Sequence, residues 1–183
     1  MRAKLTILTL ALVLGTGVAA CGDDDEPSGE SGAESAATAT PTPTASADGI
    51  EAIVQGTSKD TGAKPEFPAP SGDPPTELVM RDIVKGKGPK AQPGDTLTMQ
   101  YVGVAWSNGQ QFDASWDAGQ PFPFQLGAGM VIQGWDEGMA GMQKGGRRLL
   151  VIPPDLGYGA QGAGGTIGPN ETLVFVVDLV EIG

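Results

Sequence analysis

The sequence has no histidine and only one cysteine, Cys21, in 183 residues. Histidine is the side chain most often used as a general base, so its absence excludes histidine-dependent hydrolysis. A single cysteine has no partner for an intrachain disulfide, and stability must therefore come from packing. Because we expect Cys21 to be acylated, thiol-dependent hydrolysis is excluded as well. The acids of the C-terminal part are scattered, so we predict no metal ion and no organic cofactor.

Basic residues are also scarce, with 11 lysines and arginines against 22 aspartates and glutamates. No basic patch favours a nucleic acid as partner. Seven of the acids lie in residues 22–48, a segment without a basic, aromatic or large aliphatic side chain. Such a segment cannot bury enough apolar surface to offset the entropy lost on ordering. We predict a disordered tether over residues 21–64, in which residues 50–55 (IEAIVQ) form one short strand.

The N-terminal residues have the pattern of a secretory signal. MRAK supplies a charged start, LTILTLALVLGTGV is apolar but too short for a comfortable membrane span, and VAAC has small residues before Cys21. VAAC resembles a bacterial lipobox, in which the cysteine is lipid-modified and becomes the first mature residue. We predict a signal peptide over residues 1–20 and lipidation of Cys21, which anchors the protein at the extracytoplasmic face of the cell membrane. An ordinary cleaved signal and an uncleaved anchor are the alternatives.

Residues 65–183 carry the patterns of one compact domain. Alternating apolar and polar residues predict strands, and the two prolines of PFPFQL suit an edge position. In the last strand, Leu173, Phe175 and Val177 share one face, while Val174 and Val176 share the other. The predicted strands are TELVMRDIV (76–84), TLTMQYVGVA (96–105), QQFD (110–113), PFPFQL (121–126), RRLLVI (147–152) and TLVFVVDLVEI (172–182).

One segment has the spacing of a helix. Apolar residues recur three or four positions apart over about residues 131–143, which predicts a short helix there. Gly134, Gly138 and Gly141 lie on it at helical spacing, although each interior glycine costs roughly 1 kcal/mol relative to alanine. We expect these glycines to let the helix approach a sheet closely. The sequence therefore predicts an α+β fold, in which a curved antiparallel sheet wraps around one short α-helix.

The segment 153–171 is long for a connection inside a compact domain unless it has a function. Tyr158 and Ile167 stand in it among many glycines. Either these two side chains face a ligand, or they only fasten the loop to the core.

Four blocks resemble, in order and spacing, those of the FKBP-type peptidyl-prolyl cis/trans isomerases. They are YVGVAWSNGQQFDAS, PFPFQLGAGMVIQGWDEGM, PPDLGYGAQG and TLVFVVDLVEI. The resemblance implies a half-wrapped sheet around one helix, an aromatic pocket for the proline of a peptide, isomerase activity and binding of the family's macrolide inhibitors. It also implies the site residues, with Tyr101, Phe112, Asp113, Ile132, Trp135, Tyr158 and Phe175 as catalytic residues and Phe122, Val131 and Ile167 as substrate-binding residues.

The resemblance further implies a role for some of these residues. Trp135 would form the floor under the prolyl ring. The Ile132 N–H, the Tyr158 hydroxyl and the Asp113 carboxylate would contact the substrate backbone. At position 118 many family members have an arginine that pairs with the aspartate, whereas this sequence has Ala118. We therefore expect Asp113 and Tyr158 to be held less firmly here.

The chemistry of X-Pro isomerisation agrees with this residue set. Rotation about the amide bond meets a barrier of about 18–20 kcal/mol but breaks no covalent bond, so it needs no nucleophile. A twisted amide is less dipolar than a planar one, and an apolar aromatic pocket therefore favours it. The sequence predicts a monomeric isomerase of proline-containing exported polypeptides. The alternatives are a non-catalytic chaperone module that binds proline-containing segments and an anchored protein with a vestigial pocket.

Overall fold

The computed structural model describes residues 45–183, so the predicted signal peptide, Cys21 and residues 22–44 of the predicted tether lie outside the described residues. None of the helices found in residues 45–183 has the length and apolar character needed to cross a membrane. In chain order the elements are α1 (Ala45–Gly56), β1 (Val79–Val84), β2 (Thr96–Ala105), β3 (Gln111–Ala114), α2 (Ser115–Ala118), β4 (Phe122–Gln125), α3 (Gln133–Met139), β5 (Arg147–Ile152), 3₁₀ turns at Pro154–Leu156 and Gly159–Gln161, and β6 (Leu173–Ile182).

All six of these strands belong to one antiparallel sheet. Its order is β1-β5-β6-β2-β3, and β4 also pairs with β2. The two longest strands, β2 and β6, lie side by side at the centre, and the first five residues of β6 place apolar side chains on both faces of the sheet. β4 contains Pro123 and pairs with β2 alone, as expected for a proline-containing edge strand. The antiparallel fold predicted from the alternating pattern is confirmed.

Helix α3 packs on one face of the sheet, which we call the inner face. Trp135 and Met139 of α3 join Phe175 and Val177 of β6 in one buried cluster. Among the helices of residues 45–183, α3 alone contributes to this cluster. The prediction of a sheet wrapped around one short helix is therefore confirmed.

Two glycines allow this close packing. A Cβ atom at Gly138 would stand 2.8 Å from Cδ2 of Leu150, and one at Gly134 would collide with the side chain of Ile152. Both positions lie in α3 and face β5, so the expected role of these glycines in a close approach is confirmed. The packing of α3 on the sheet thus outweighs the poor helix propensity of its sequence.

The predicted bounds of this helix were too wide. α3 begins only at Gln133, because Ile132 has an extended ψ of 148°. It ends at Met139, because Ala140 has a ψ of 131°. Gly141 has a φ of 73° and lies in the turn that follows, so its assignment to the packing face was wrong. Glycine suits that turn because other residues rarely adopt a positive φ.

The opposite, outer face of the sheet carries a second buried cluster. Val174 and Val176 of β6 and Leu149 of β5 belong to it. Helix α1 covers this face with Ile50 and Ile53, both of which are buried. The central strands are therefore covered on both faces, by α3 on the inner side and by α1 on the outer side.

The prediction that residues 50–55 form a strand within a disordered tether was wrong. Ile50, Ile53 and Val54 are spaced i, i+3 and i+4, which places them on one face of a helix that the sheet can bury. Beyond α1, the buried Arg147 of β5 donates to the backbone oxygens of Ser58 and Ala63, at 2.6 and 2.8 Å. Residues 45–64 therefore pack with the domain, and the tether stays a prediction for residues 21–44 only.

Ile53→Ala tests whether α1 is part of the packed domain. We expect the free energy of unfolding to fall by about 2–4 kcal/mol, because the side chain is fully buried against the sheet. Glu51→Ala, at an exposed position of the same helix, should change it by about 0.5 kcal/mol or less. Urea denaturation of both variants measures the difference, and equal midpoints would contradict the packing of α1.

Candidate active site

A cavity of about 370 Å³ opens on the inner side of the sheet, and all ten predicted site residues line it. Strands β2, β3, β4 and β6, the start of α3 and the loop 153–171 each contribute at least one of them. The lining also includes residues that the sequence analysis did not single out, namely Met130, Ala163, Gly164 and Thr166. Met130 was not predicted because an exposed methionine in a loop belongs to no periodic pattern.

Trp135 forms the base of this cavity and is only 4% exposed. It lies in the first turn of α3, and most of its neighbours meet it edge to face, a favourable geometry for aromatic pairs. Its ring centroid lies 5.1 Å from that of Tyr101, 5.3 Å from Phe175, 5.6 Å from Phe124 and 6.2 Å from Phe122. The floor is thus held in place by aromatic rings from three strands.

A glycine in β2 makes room for one wall of the cavity. A Cβ atom at Gly103 would stand 2.7 Å from the ring of Phe112 and 2.8 Å from that of Phe175. With no side chain between them, these two rings meet edge to face at 5.4 Å. The sequence block YVG therefore serves to bring the aromatic residues of β3 and β6 together.

Tyr101 and Asp113 form the main polar contact of the cavity wall. The Tyr101 hydroxyl donates to Asp113 Oδ2 at 2.6 Å. Burial, then this hydrogen bond and the negative charge of Asp113, raise the pKa of Tyr101 well above its ordinary value. The phenol therefore stays protonated at neutral pH and holds the carboxylate in place.

The raised pKa of Tyr101 can be measured directly, because the sequence has only two tyrosines. In a Tyr158→Phe variant, we expect the phenolate absorbance of Tyr101 to appear only well above pH 10. Adding Asp113→Asn should lower this pKa only in part, because burial is the largest cause. In the unfolded chain Tyr101 ionises at a lower pH than in the folded protein. The stability that its buried, protonated hydroxyl contributes is therefore lost as the pH rises above 10. Ionisation of the folded Tyr158→Phe variant near pH 10 would contradict the burial of the phenol.

The loop before α3 presents an unpaired backbone donor at the cavity. The Ile132 carbonyl accepts from the N–H of Trp135 at 2.9 Å, whereas the Ile132 N–H donates to none of the described residues. The carboxylate of Asp136 accepts from the N–H groups of Gly127 and Gly129, at 2.9 and 3.1 Å. Asp136 thereby folds the loop back onto the start of α3. The sequence analysis missed this positioning residue, although an acid in the first turn of a helix is a recognisable signal.

Tyr158 and Ile167, the two residues chosen from the long loop, both line the cavity. Ile167 is buried and pairs through its backbone with Ala163, with both hydrogen bonds at 3.0 Å. Tyr158 is 39% exposed, and its hydroxyl donates to none of the described residues. Both side chains therefore border the cavity, and Ile167 also fastens the loop to the inner cluster, so the geometry fits both alternatives.

The chemistry available in the cavity is limited to binding and orientation. Asp113 is the one charged side chain among its lining residues, and a nucleophile paired with a base is not found among them. Residues 45–183 also contain no group of three or more acids, histidines or cysteines that could hold a metal ion. The aromatic floor at Trp135 suits a hydrophobic side chain, and the Asp113 carboxylate, the Tyr158 hydroxyl and the Ile132 N–H around it suit the polar backbone of a peptide.

A comparison with known families identifies the chain. The sequence model described as FKBP-type peptidyl-prolyl cis-trans isomerase matches residues 88–180. The chain belongs to this family. The FK506-binding protein of Streptomyces anulatus is 58% identical over 120 residues, which is 65% of this chain and 97% of that protein. The probable FK506-binding protein of Corynebacterium glutamicum is 45% identical over 117 residues, or 64% and 97% of the two chains.

A solved structure supports the same assignment. The crystal structure named AtFKBP13 matches with a TM-score of 0.55 and 38% identity, over 60% of this chain and 96% of that one. The FKBP-type proteins are peptidyl-prolyl cis-trans isomerases, and the predicted enzyme class is confirmed. The roles of individual cavity residues stay predictions. Helix α1 and strand β1 precede the region that the FKBP family model matches.

Proposed function

We propose that this FKBP-type isomerase accelerates X-Pro isomerisation in exported polypeptides while anchored through Cys21 at the extracytoplasmic face of the cell membrane. The observation that carries the catalytic part is the cavity with Trp135 as its floor and an unpaired Ile132 N–H beside it. The signal-like N-terminal sequence and its lipobox-like VAAC support the location.

The apolar floor favours the twisted amide of the transition state. The prolyl ring lies against Trp135, where aromatic side chains exclude water from the X-Pro bond. A planar amide loses solvation there, whereas a twisted amide has less charge separation to solvate. If this effect and the polar contacts lower the barrier by about 7 kcal/mol, the rate rises roughly 10⁵-fold.

Three polar groups orient the substrate backbone in this proposal. The Ile132 N–H and the Tyr158 hydroxyl donate to substrate carbonyls, because neither has a partner among the described residues. Asp113, held by Tyr101, accepts from a substrate N–H. The same cavity is proposed to bind the family's macrolide inhibitors.

The direct test is protease-coupled isomerisation of a Leu-Pro peptide by residues 22–183, with and without rapamycin. We expect acceleration that the inhibitor abolishes. Tight inhibitor binding without acceleration would favour the alternative function, a chaperone module that binds proline-containing segments without turnover. If the protein shows no acceleration and binds no inhibitor, the proposed function is contradicted.

The location and the oligomeric state need their own measurements. We expect the full chain to fractionate with membranes in a bacterial host and Cys21→Ser to release it. Membrane association that survives this substitution would contradict lipid anchoring. Size-exclusion chromatography with light scattering of residues 22–183 should give the mass of a monomer.

A further inference from the structure

A second cavity, of about 380 Å³, lies next to the first. Tyr101, Asp113 and Phe122 line both of them, so the two cavities share one wall. The remaining lining of the second cavity is uncharged and consists of Ala114, Ser115, Ala118, Gln120, Pro121 and Pro123. A peptide whose proline lies on Trp135 therefore places a neighbouring residue within reach of this space.

The small side chain of Ala118 leaves this space open. Ala118 is the last residue of the one-turn helix α2, which directly follows β3 and was not predicted from the sequence. Gly119, with a φ of 71°, ends that helix and turns the chain towards Gln120. The cavity wall at this point is therefore a methyl group and backbone, where a long side chain would fill the space.

Half of the Asp113 carboxylate has no partner in this structure. Oδ2 accepts from the Tyr101 hydroxyl, but no hydrogen bond from a described residue reaches Oδ1. The nearest acid along the chain, Asp117 of α2, does have a cation, because Lys64 approaches its Oδ1 to 2.6 Å. Asp113 is the one charged side chain that lines either cavity. The Ser115 hydroxyl is already used by Gln100 and by the N–H of Tyr101.

We propose that the second cavity is a subsite for a cationic side chain, lysine or arginine, on a substrate residue that flanks the proline. The inference rests on the proposed function and adds a substrate preference to it. The aliphatic stem packs on Ala118, Pro121 and Phe122, while the charged head reaches Asp113. Oδ1, which accepts no hydrogen bond from a described residue, is the oxygen that the charged head reaches most readily.

The test compares lysine with norleucine, its uncharged counterpart of similar length, in proline peptides. Two series place the test residue directly before or directly after the proline, and residues 22–183 are assayed for kcat/KM and, by calorimetry, for Kd. In one of the series we expect lysine to exceed norleucine by about two- to fivefold at low ionic strength. The preference should shrink towards one in high salt, because the pair is exposed to solvent.

Two variants separate the subsite from general electrostatics. Ala118→Arg should abolish the lysine preference or reverse it, since the new guanidinium fills the space and neutralises Asp113. Thr76→Arg adds the same charge at an exposed position that lines neither cavity, and should keep the preference. An equal loss in both variants would overturn the subsite.

The outcomes also distinguish the subsite from the proposed function. Turnover of Leu-Pro peptides with a lysine-to-norleucine ratio of one or less in both series overturns the subsite and leaves the isomerase intact. Absence of turnover with a lysine preference in Kd supports the subsite and overturns catalysis. If no proline peptide is bound or turned over, both proposals fail.

Discussion

Trp135→Ala is expected to lower the free energy of unfolding by about 3–5 kcal/mol and kcat/KM on the order of 100-fold. The substitution removes a ring that four other aromatic rings contact, and it leaves a void under the cavity. Water entering that void would solvate the planar amide and remove the advantage of the twisted one. Urea denaturation followed by circular dichroism and the peptide assay measure the two losses.

Two further variants show which part of the loss belongs to the site. Leu149→Ala removes a fully buried side chain of the outer cluster, so it should cost about 2–4 kcal/mol of stability but keep kcat/KM in the folded protein. Trp135→Phe should cost much less, because the buried indole N–H has no partner among the described residues and phenylalanine lacks that donor. A folded Trp135→Ala protein with full activity would refute the assignment of the floor.

Arg147→Met is expected to lower the free energy of unfolding by about 3–5 kcal/mol, although Arg147 lies outside the cavity. Its fully buried guanidinium donates to both oxygens of Asp178, at 2.6 and 2.7 Å, and to the segment after α1. Methionine fills a similar volume but leaves a buried carboxylate without a cation. Thermal and urea denaturation at neutral pH measure the loss.

The pH dependence of this variant identifies the cause. Burial raises the pKa of Asp178, and the hydrogen bond and charge of Arg147 oppose that rise. Without Arg147 the folded pKa rises further above the unfolded value. Below the pKa of Asp178 in the unfolded chain, the variant keeps its stability. It loses stability as the pH rises through the pKa of Asp178 in the folded protein. We expect a smaller deficit near pH 4 than at pH 7, and partial recovery in Arg147→Met/Asp178→Asn. A deficit independent of pH would point to packing alone.

The sequence predicted the central strands well because they depend on local patterns. The bounds of β2 and β5 match the predicted ones. Apolar and polar residues alternate in the first half of β2, whereas β5 is marked by a run of four apolar residues after Arg148. The alternation in β6 placed Phe175 on the same face as Leu173 and Val177, and the structure shows that this is the inner face. The grouping of residues from six separate parts of the chain came from the family resemblance and not from periodicity.

The failures have physical causes that lie outside the local sequence. Helix α1 has few large side chains, and its burial depends on a sheet that forms from residues far along the chain. Arg147 contacts Ser58 across 89 positions, a separation at which no spacing rule applies. The ends of α3 depend on backbone angles at Ile132 and Ala140 that the apolar periodicity does not encode.

Helix α1, the first described element of the chain, lies on the face of the sheet opposite to the cavity. Its buried residues contact the outer face of the sheet, whereas the cavity opens on the inner face. A load applied through the chain before α1 is first taken by the contacts of Ile50 and Ile53 and then by Arg147, before it reaches any cavity residue. A pull on that end therefore acts on the face of the sheet opposite to the cavity.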